Sequence, residues 1–555
     1  MPSSARTPRL YGYALTSMAK VARSRVGSLA LRRLFRGELK VGELEGLPDS
    51  LRGDVPLDTR ALQARPPRLS SHAEQGAPPA PWGGSSATFT AAYRDGSTTP
   101  RDVVRRALAA ARTLAAHVPP VGPILDYADA AALEEAEASS ARWRSGAPLG
   151  PLDGVPFAVK EETAVRGLPR RSGTAYRDGA PQTEDATCIA RLRAAGAIVI
   201  GMTPMTELGM TPIGANAKRV MPRNPHATDF VAGGSSTGSG VAVATGLVPF
   251  AIGCDGGGSI RVPAAMNGVF GIKPTWGRVS REGDSGTGSV AHLGPLASST
   301  LDLARVLEVI AGHDPRDPQT DAAPPVAPGG WVRALERGVR GLVIGVEDRE
   351  WRDAAPAVAR AGEQAIAALE REGARVVRVQ LPLARFAPAI GYVVIGVEVR
   401  GAVRDEWRDH GDEMSHDLQV SLAALDGLSA TEFIDAMRLR AGLRREVVHA
   451  FGEIDLLALP TTATPAVRVT DAEMASGFVD ARVLDDFCRF AFLGNLTGLP
   501  AASAPVGRDA AGLPIGFQLV GDAWDEATVL AAMAHLERIG VARVERPRVS
   551  VDVLR

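Results

Sequence analysis

With 555 residues, the chain has room for several average domains or for one large α/β unit. Hydrophobic residues make up 45% and charged residues 23%, an ordinary balance for a protein with a sizeable core. A formal net charge of -1 gives no general attraction to nucleic acid. The three cysteines, Cys188, Cys254 and Cys488, lie too far apart for a disulfide framework or a metal-ligand spacing, which suits a reducing, cytoplasmic setting.

The first 37 residues hold eight basic side chains and no acidic one. From Leu15 to Phe35 the pattern predicts a basic helix with Leu, Val and Ala between the arginines. Packing on the main domain is the favoured reading; contact with an anionic membrane through residues 1–37, or an organelle transit peptide, is the alternative. Residues 65–86 are rich in Pro, Gly, Ser and Ala and read as a linker or extended strap. A helix is predicted from Thr99-Pro100 to Ala115, with Thr99 as N-cap and Pro100 at the first helical position.

Beyond it, helices alternate with short apolar strands. A helix over 186–195 leads into a strand over 197–200; strands over 341–346, 374–381 and 454–459 and helices over 355–372 and 526–539 follow. This alternation predicts an α/β fold with a largely buried mixed or parallel sheet. Residues 314–330 read as a Pro-rich surface connection. Residues 230–254 carry no charge, but glycines and Pro249 interrupt them, so they read as a buried loop, helix and strand rather than a membrane span. Composition divides the chain into an extension and linker over 1–85, a catalytic domain over 86–545 and a tail over 546–555.

The charge-free stretch opens with Gly233-Gly234-Ser235-Ser236-Thr237-Gly238-Ser239-Gly240 and leads into Asp255-Gly256-Gly257-Gly258-Ser259-Ile260-Arg261. Consecutive glycines let backbone N–H groups converge on a developing oxyanion, so Ser259 at the end of the run is placed to attack a carbonyl. Such a serine needs a base. None of the nine histidines stands in a comparably unusual motif. Lys160 ends the apolar run Val155-Pro156-Phe157-Ala158-Val159, and burial there should lower its pKa toward that of a base. Only five of the 62 Lys and Arg residues are lysines, so a lysine in an apolar setting calls for an explanation. A phosphate cradle would want a Gly-Lys-Ser/Thr ending or a dinucleotide fingerprint, and neither occurs.

The 233–264 stretch, with Gly268-Val269-Phe270-Gly271-Ile272-Lys273-Pro274-Thr275 after it, closely resembles the signature of the amidase signature enzymes. Asp185-Ala186-Thr187, 196–201 and Gly494-Asn495-Leu496-Thr497-Gly498-Leu499-Pro500-Ala501 extend the resemblance from about residue 91 to 538. It implies a large mixed sheet with helices on both faces. It also implies Ser259 as nucleophile, Lys160 as base, and Ser235 as bridge on a cis bond from Gly234. The N–H groups of Gly256, Gly257, Gly258 and Ser259 would form the oxyanion hole. Ser236 would join the Lys160 network, while Asp255 and Arg261 would brace the loop. The departures are Glu161, Pro204, Thr237 and Cys254, and the segment after Thr203 is expected to line the acyl pocket. The implied reaction is hydrolysis of a small-molecule linear amide, with carbamates or esters as other substrates, and needs no cofactor or metal. A homodimer is compatible with this reading. The alternatives are the glutaminase subunit of a tRNA-dependent amidotransferase and a silent binding protein on the same fold; retention of Lys160, Ser235 and Ser259 argues against the latter.

Overall fold

A computed structural model of the chain describes residues 9–53, 69–73, 78–177, 179–286 and 288–555. Its strands in chain order are β1 (Leu10–Tyr11), β2 (Asp126–Tyr127), β3 (Pro156–Lys160), β4 (Ile198–Thr203), β5 (Phe250–Asp255), β6 (Phe270–Lys273), β7 (His292–Ala297), β8 (Val343–Val346), β9 (Arg375–Arg378), β10 (Leu456–Pro460), β11 (Phe478–Val479), β12 (Ala501–Arg508) and β13 (Pro514–Gly521). All but β1 and β11, which pair with each other, join one 11-stranded sheet in the order β2-β4-β3-β5-β7-β6-β12-β13-β10-β8-β9. The sheet is mixed: β4, β3 and β5 run parallel, as do β10, β8 and β9, while β7, β6, β12 and β13 connect the two groups by antiparallel pairing.

Successive strand residues point to opposite faces, so a strand buried at every position must be covered on both sides. β3, β4, β5, β7 and β13 are buried throughout. The predicted helices form close to their expected bounds, at Thr187–Ala194, Pro356–Arg371 and Glu526–Arg538. Pro100–Ala115 starts as predicted: the Thr99 hydroxyl accepts from the N–H of Asp102 at 3.1 Å, satisfying one of the donors left open at a helix start. A further helix, Ser86–Arg94, precedes it and buries Phe89 and Tyr93. The charge-free stretch becomes a loop, the helix Thr237–Ala244, every residue of which is buried, and β5. Among the described residues no single helix is long and apolar enough to cross a membrane.

At the amino end, the helices Gly12–Ala22 and Arg25–Glu38 pack on the main body. Leu15, Ala19, Ala22 and Leu31 are buried with Val420 and Ala423 of the helix His416–Leu425. Within the predicted linker over 65–86, residues 65–68 and 74–77 lie outside the described residues, while 69–73 and 78–85 form neither helix nor strand, as a strap would. The last ten residues lie on the fold: the N–H of Val551 donates to the Thr245 carbonyl at 2.8 Å, and Arg106 donates to that of Val553 at 2.7 Å.

The parallel register is what positions the site. Phe157, Ala158 and Val159 of β3 lie opposite Phe250, Ala251 and Ile252 of β5, and the rings of Phe157 and Phe250 stack with centroids 5.2 Å apart. Lys160, one residue further along, therefore emerges beside the end of β5. Truncation of Phe157, buried inside this pairing, should cost about 3–5 kcal/mol. Denaturant unfolding of Phe157→Ala, with β-sheet signal as readout, checks it; a loss below about 1 kcal/mol would mean the two strands are held by something else.

Candidate active site

The carboxyl ends of parallel strands are where open α/β sheets leave a crevice. Here that crevice lies at the ends of β3 and β5. Lys160 is buried, and its Nζ donates to Ser235 Oγ at 2.8 Å and to the Cys254 carbonyl at 3.3 Å. The Gly234–Ser235 peptide bond is cis, as the resemblance implied. Ser236 shares the network, donating from Oγ to the same Cys254 carbonyl at 3.3 Å. Its N–H donates to the Ser259 carbonyl at 3.2 Å. That backbone bond ties the two Gly/Ser clusters together, so residues far apart in sequence come into direct contact. Ser259 is partly exposed and lines a cavity of about 210 Å³ together with Lys160, Ser235, Gly256 and Gly257. No histidine among the described residues lines it.

The loop carrying Ser259 is shaped from below by Asp255. Its carboxylate accepts from the N–H groups of Gly258 at 2.7 Å and Ile260 at 3.2 Å, and from Arg261 Nε and a terminal guanidinium nitrogen at 2.9 Å each. Arg261 also reaches Asn495 and Gln518, both at 2.6 Å, and Asn495 donates back to Asp255 at 2.9 Å. Asp255 and Arg261 thus brace the loop, as expected. Although burial alone would push its carboxyl up, the Arg261 charge and these donors hold Asp255 below the usual carboxylate range. Gly258 sits at φ 120°, where an added Cβ would also lie 2.8 Å from the Ala491 methyl, so only glycine serves there.

Two expectations change. The N–H of Gly258 points inward to Asp255 instead of into the cavity, which takes it out of the expected set of oxyanion donors. The pKa of Lys160 also moves the other way. Burial does oppose its charge, but Glu162 Oε1 lies 2.6 Å from Nζ and, with Cys254 and Asp284 beyond it, holds the ammonium above its ordinary value. The depressed lysine is Lys273, buried with Arg261 as its neighbour and donating to the Pro274 carbonyl at 2.8 Å; it does not line the cavity. Burial and scarcity therefore do not single out Lys160. Its hydrogen bond to Ser235 does.

Glu162 and Asp284 escaped the sequence reading. The turn closed by Thr163 N–H on the Lys160 carbonyl at 3.0 Å brings Glu162 back beside Lys160, and no periodicity announces such a turn. Glu162, Cys254 and Asp284 bring their ligand-type atoms within 4.8 Å of one another, a set able to hold a cation, but the Lys160 ammonium already supplies positive charge there. Glu161 is buried near Arg219 and its carboxyl is pushed up to about 7, chiefly by burial. Pro204 does not line the cavity, whereas Leu208, Met210 and Pro212 just after it do.

A mixed eleven-stranded sheet with two Gly/Ser clusters joined over its carboxyl edge is the architecture of an amide-hydrolysing α/β enzyme. The chain belongs to the Amidase family, whose model matches residues 103–530. It is 34% identical over 493 residues to a fatty acid amide hydrolase of Medicago truncatula, covering 85% of this chain and 80% of that protein. It is 36% identical over 459 residues to the A subunit of the glutamyl-tRNA(Gln) amidotransferase of Chloroflexus aggregans, covering 77% and 91% of the two chains. Among solved structures, the native peptide amidase from Stenotrophomonas maltophilia aligns with a TM-score of 0.70 at 27% identity, over 83% of this chain and 98% of that one.

Removing Arg261 leaves the buried Asp255 charge without its main partner, so Arg261→Leu should lose about 3–5 kcal/mol at neutral pH. Because Asp255 is held below the carboxylate range, the stabilisation is complete above about pH 4 and disappears as acid titrates the folded carboxyl. Unfolding of wild type and variant followed from neutral pH into strong acid should show the two curves converging in acid. A constant gap across that range would contradict this account.

Proposed function

We propose that the chain hydrolyses linear amides of long apolar carboxylic acids through a seryl ester, with Ser259 as nucleophile, Ser235 as proton bridge and Lys160 as base. The observation that carries this is the 2.8 Å hydrogen bond between Lys160 and Ser235 on the wall that Ser259 also lines. As Ser259 Oγ bonds to the carbonyl carbon, its proton passes to Ser235 Oγ and the Ser235 proton to a neutral Lys160 Nζ. The reverse transfer protonates the departing nitrogen as the C–N bond breaks, and water then hydrolyses the ester by the same relay. Of the expected oxyanion donors, the N–H groups of Gly256, Gly257 and Ser259 remain for the carbonyl oxygen.

Leu39, Val41, Leu208, Met210, Val399 and Leu425 line the cavity beyond the reacting groups, with Arg36, Arg177 and Ser421 among its polar residues; the larger apolar share favours an acyl chain over the polar side chain of glutamine. The fatty acid amide hydrolase among the relatives supports the same reading. Ser259→Ala should abolish turnover. Lys160→Arg should fall by about 10²–10⁴-fold, close to Lys160→Ala, because a permanent cation accepts no proton. Across primary amides from acetamide to decanamide, kcat/KM should climb as chain length grows, by up to about fourfold, or ~0.8 kcal/mol, per buried CH2. Full activity of Lys160→Arg would sink the relay, and glutamine as the best substrate would sink the acyl preference.

The same reading includes delivery of the substrate from an anionic lipid surface. In the helix Arg25–Glu38, Val26, Leu29, Ala30, Arg33 and Leu34 are exposed at spacings of three and four, so they form one outward stripe. Val26 is 79% and Leu29 60% exposed, and Tyr13 of the preceding helix is 88% exposed. No acidic residue occurs before Glu38, and Lys20 and Arg33 are exposed in these same two helices. Arg36, Leu39 and Val41, at and just past the end of this helix, line the cavity. An apolar stripe among basic groups fits an anionic bilayer. The protein should sediment with phosphatidylserine vesicles far more than with phosphatidylcholine vesicles, and the double variant Val26→Glu, Leu29→Glu should lose this. Equal sedimentation with both vesicles, or a dimer dissolved by the double variant, would assign the face otherwise.

A further inference from the structure

The relay above needs Lys160 as a neutral amine, yet the residue nearest its nitrogen is an acid. Glu162 Oε1 stands 2.6 Å from Nζ, closer than the Ser235 hydroxyl at 2.8 Å, and both side chains of the pair are almost wholly buried. The geometry points to Glu162 as a positioning residue that fixes the direction of the Lys160 amine and sets the pH at which it becomes a base. This inference rests on the proposed relay and goes beyond it.

The groups around the pair all bear on the amine. From the end of β5 comes the Cys254 carbonyl, accepting from Nζ at 3.3 Å. The Cys254 thiol lies with Glu162 and Asp284 in one cluster, its pKa raised well above the ordinary value, chiefly by burial. From the loop before β7 comes Asp284, which accepts from Thr163 Oγ1 at 2.6 Å and from Gly286 N–H at 2.7 Å. Burial and then the Glu162 charge push the Asp284 carboxyl up to about 6. Arg281 is the cation of the same loop, held on the carbonyls of Gly286 and Gly288 at 3.1 and 2.6 Å. The field at Nζ is thus negative, and it favours the ammonium over the amine.

Glu162 is held as well as placed. The N–H of Ser285 donates to its backbone carbonyl at 3.0 Å, and Ser285 Oγ donates to the same oxygen at 3.1 Å. Glu162 also lines the cavity, so it shares a wall with the reacting groups. An ammonium pinned between Glu162 and Ser235 has its N–H aimed at the oxygen that must later return a proton. Loss of that proton to solvent leaves the lone pair pointing along the same line. The cost of this alignment is that the amine forms only in alkaline solution, because the carboxylate must be left without its partner.

The sign of the effect is definite. A raised Lys160 pKa means the base-competent fraction is small at neutral pH and grows until the pH passes that value. Replacing Glu162 by the neutral, nearly isosteric glutamine removes the nearest charge that opposes burial, so the rising limb moves to lower pH. The test follows labelling of Ser259 by a fluorophosphonate, a probe that reads nucleophile activation without requiring the natural amide, from mildly acidic to strongly alkaline pH in the full chain. Wild type should label along a limb in the alkaline range. Glu162→Gln should shift that limb down by about one pH unit or more, equivalent to about tenfold faster labelling at a fixed pH on the limb. Asp284→Asn, which removes the more distant charge, should shift it the same way by less, and it keeps the test valid if Glu162→Gln fails to fold. Labelling that persists in Ser259→Ala, or is absent in wild type, overturns the relay itself. Labelling confined to Ser259 with the limb unmoved in the folded variants overturns the role of Glu162 and leaves the relay standing.

Discussion

A carboxylate sealed inside protein must be met by donors on every side, and at Asp255 that requirement organises the site. Both side chains of the Asp255–Arg261 pair are fully buried, and the remaining polar atoms are met by Asn495, Gln518 and the N–H groups of the loop itself. Gly258 and Ile260 turn their N–H groups inward because the carboxylate is there. The peptide groups between Asp255 and Gly258 are then free to face the cavity, and Ser259 is carried to its rim. A loop so rich in glycine would otherwise have many conformations; the buried ion pair selects one.

Two lysines lie in the interior, and the difference between them shows that burial alone does not decide chemistry. Lys273 has Arg261 as a neighbour and the Pro274 carbonyl as its acceptor, and its pKa is lowered well below the ordinary value by burial and then by that cation. Lys160 is equally buried, but the acids near it reverse the direction. A group whose pKa suits base chemistry is thus found away from the cavity, and the group in the cavity is tuned toward its charged form. What qualifies Lys160 is its contact with Ser235.

Much of this was legible in the chain. The alternation of helices and apolar strands foretold an α/β fold with a mixed or parallel sheet, the family resemblance chose the mixed one, and the Gly/Ser clusters with the Val155–Lys160 run marked the parts that meet at its carboxyl edge. Ser235 needed the family resemblance, since nothing in its spacing separates it from Ser236. The parts that stayed hidden depend on three-dimensional closure. Glu162 reaches Lys160 through a turn, Asp284 arrives from more than a hundred residues away, and the inward tilt of the Gly258 N–H follows from where Asp255 lies. The helix Ser86–Arg94 was hidden for a simpler reason: Phe89 and Tyr93 are its only large apolar residues, and its neighbourhood is rich in Gly and Ser.

The cavity draws its walls from two sources with different duties. Lys160, Ser235 and Ser259 stand on strand ends and loops anchored by the central sheet, where a shift of one residue would break the register between β3 and β5. Val399 and Leu425 come from the helices Ala387–Ala402 and His416–Leu425, and Leu39 and Val41 from the connection and short helix that follow Arg25–Glu38, all outside the sheet. A sheet-borne wall tolerates little change, while helices laid over it can vary in sequence and position without disturbing the register beneath. In this chain, the outer wall is mostly apolar and adjoins a helix whose exposed stripe is apolar but for Arg33. The acyl specificity proposed here therefore belongs to the helical layer, and the hydrolytic chemistry belongs to the sheet.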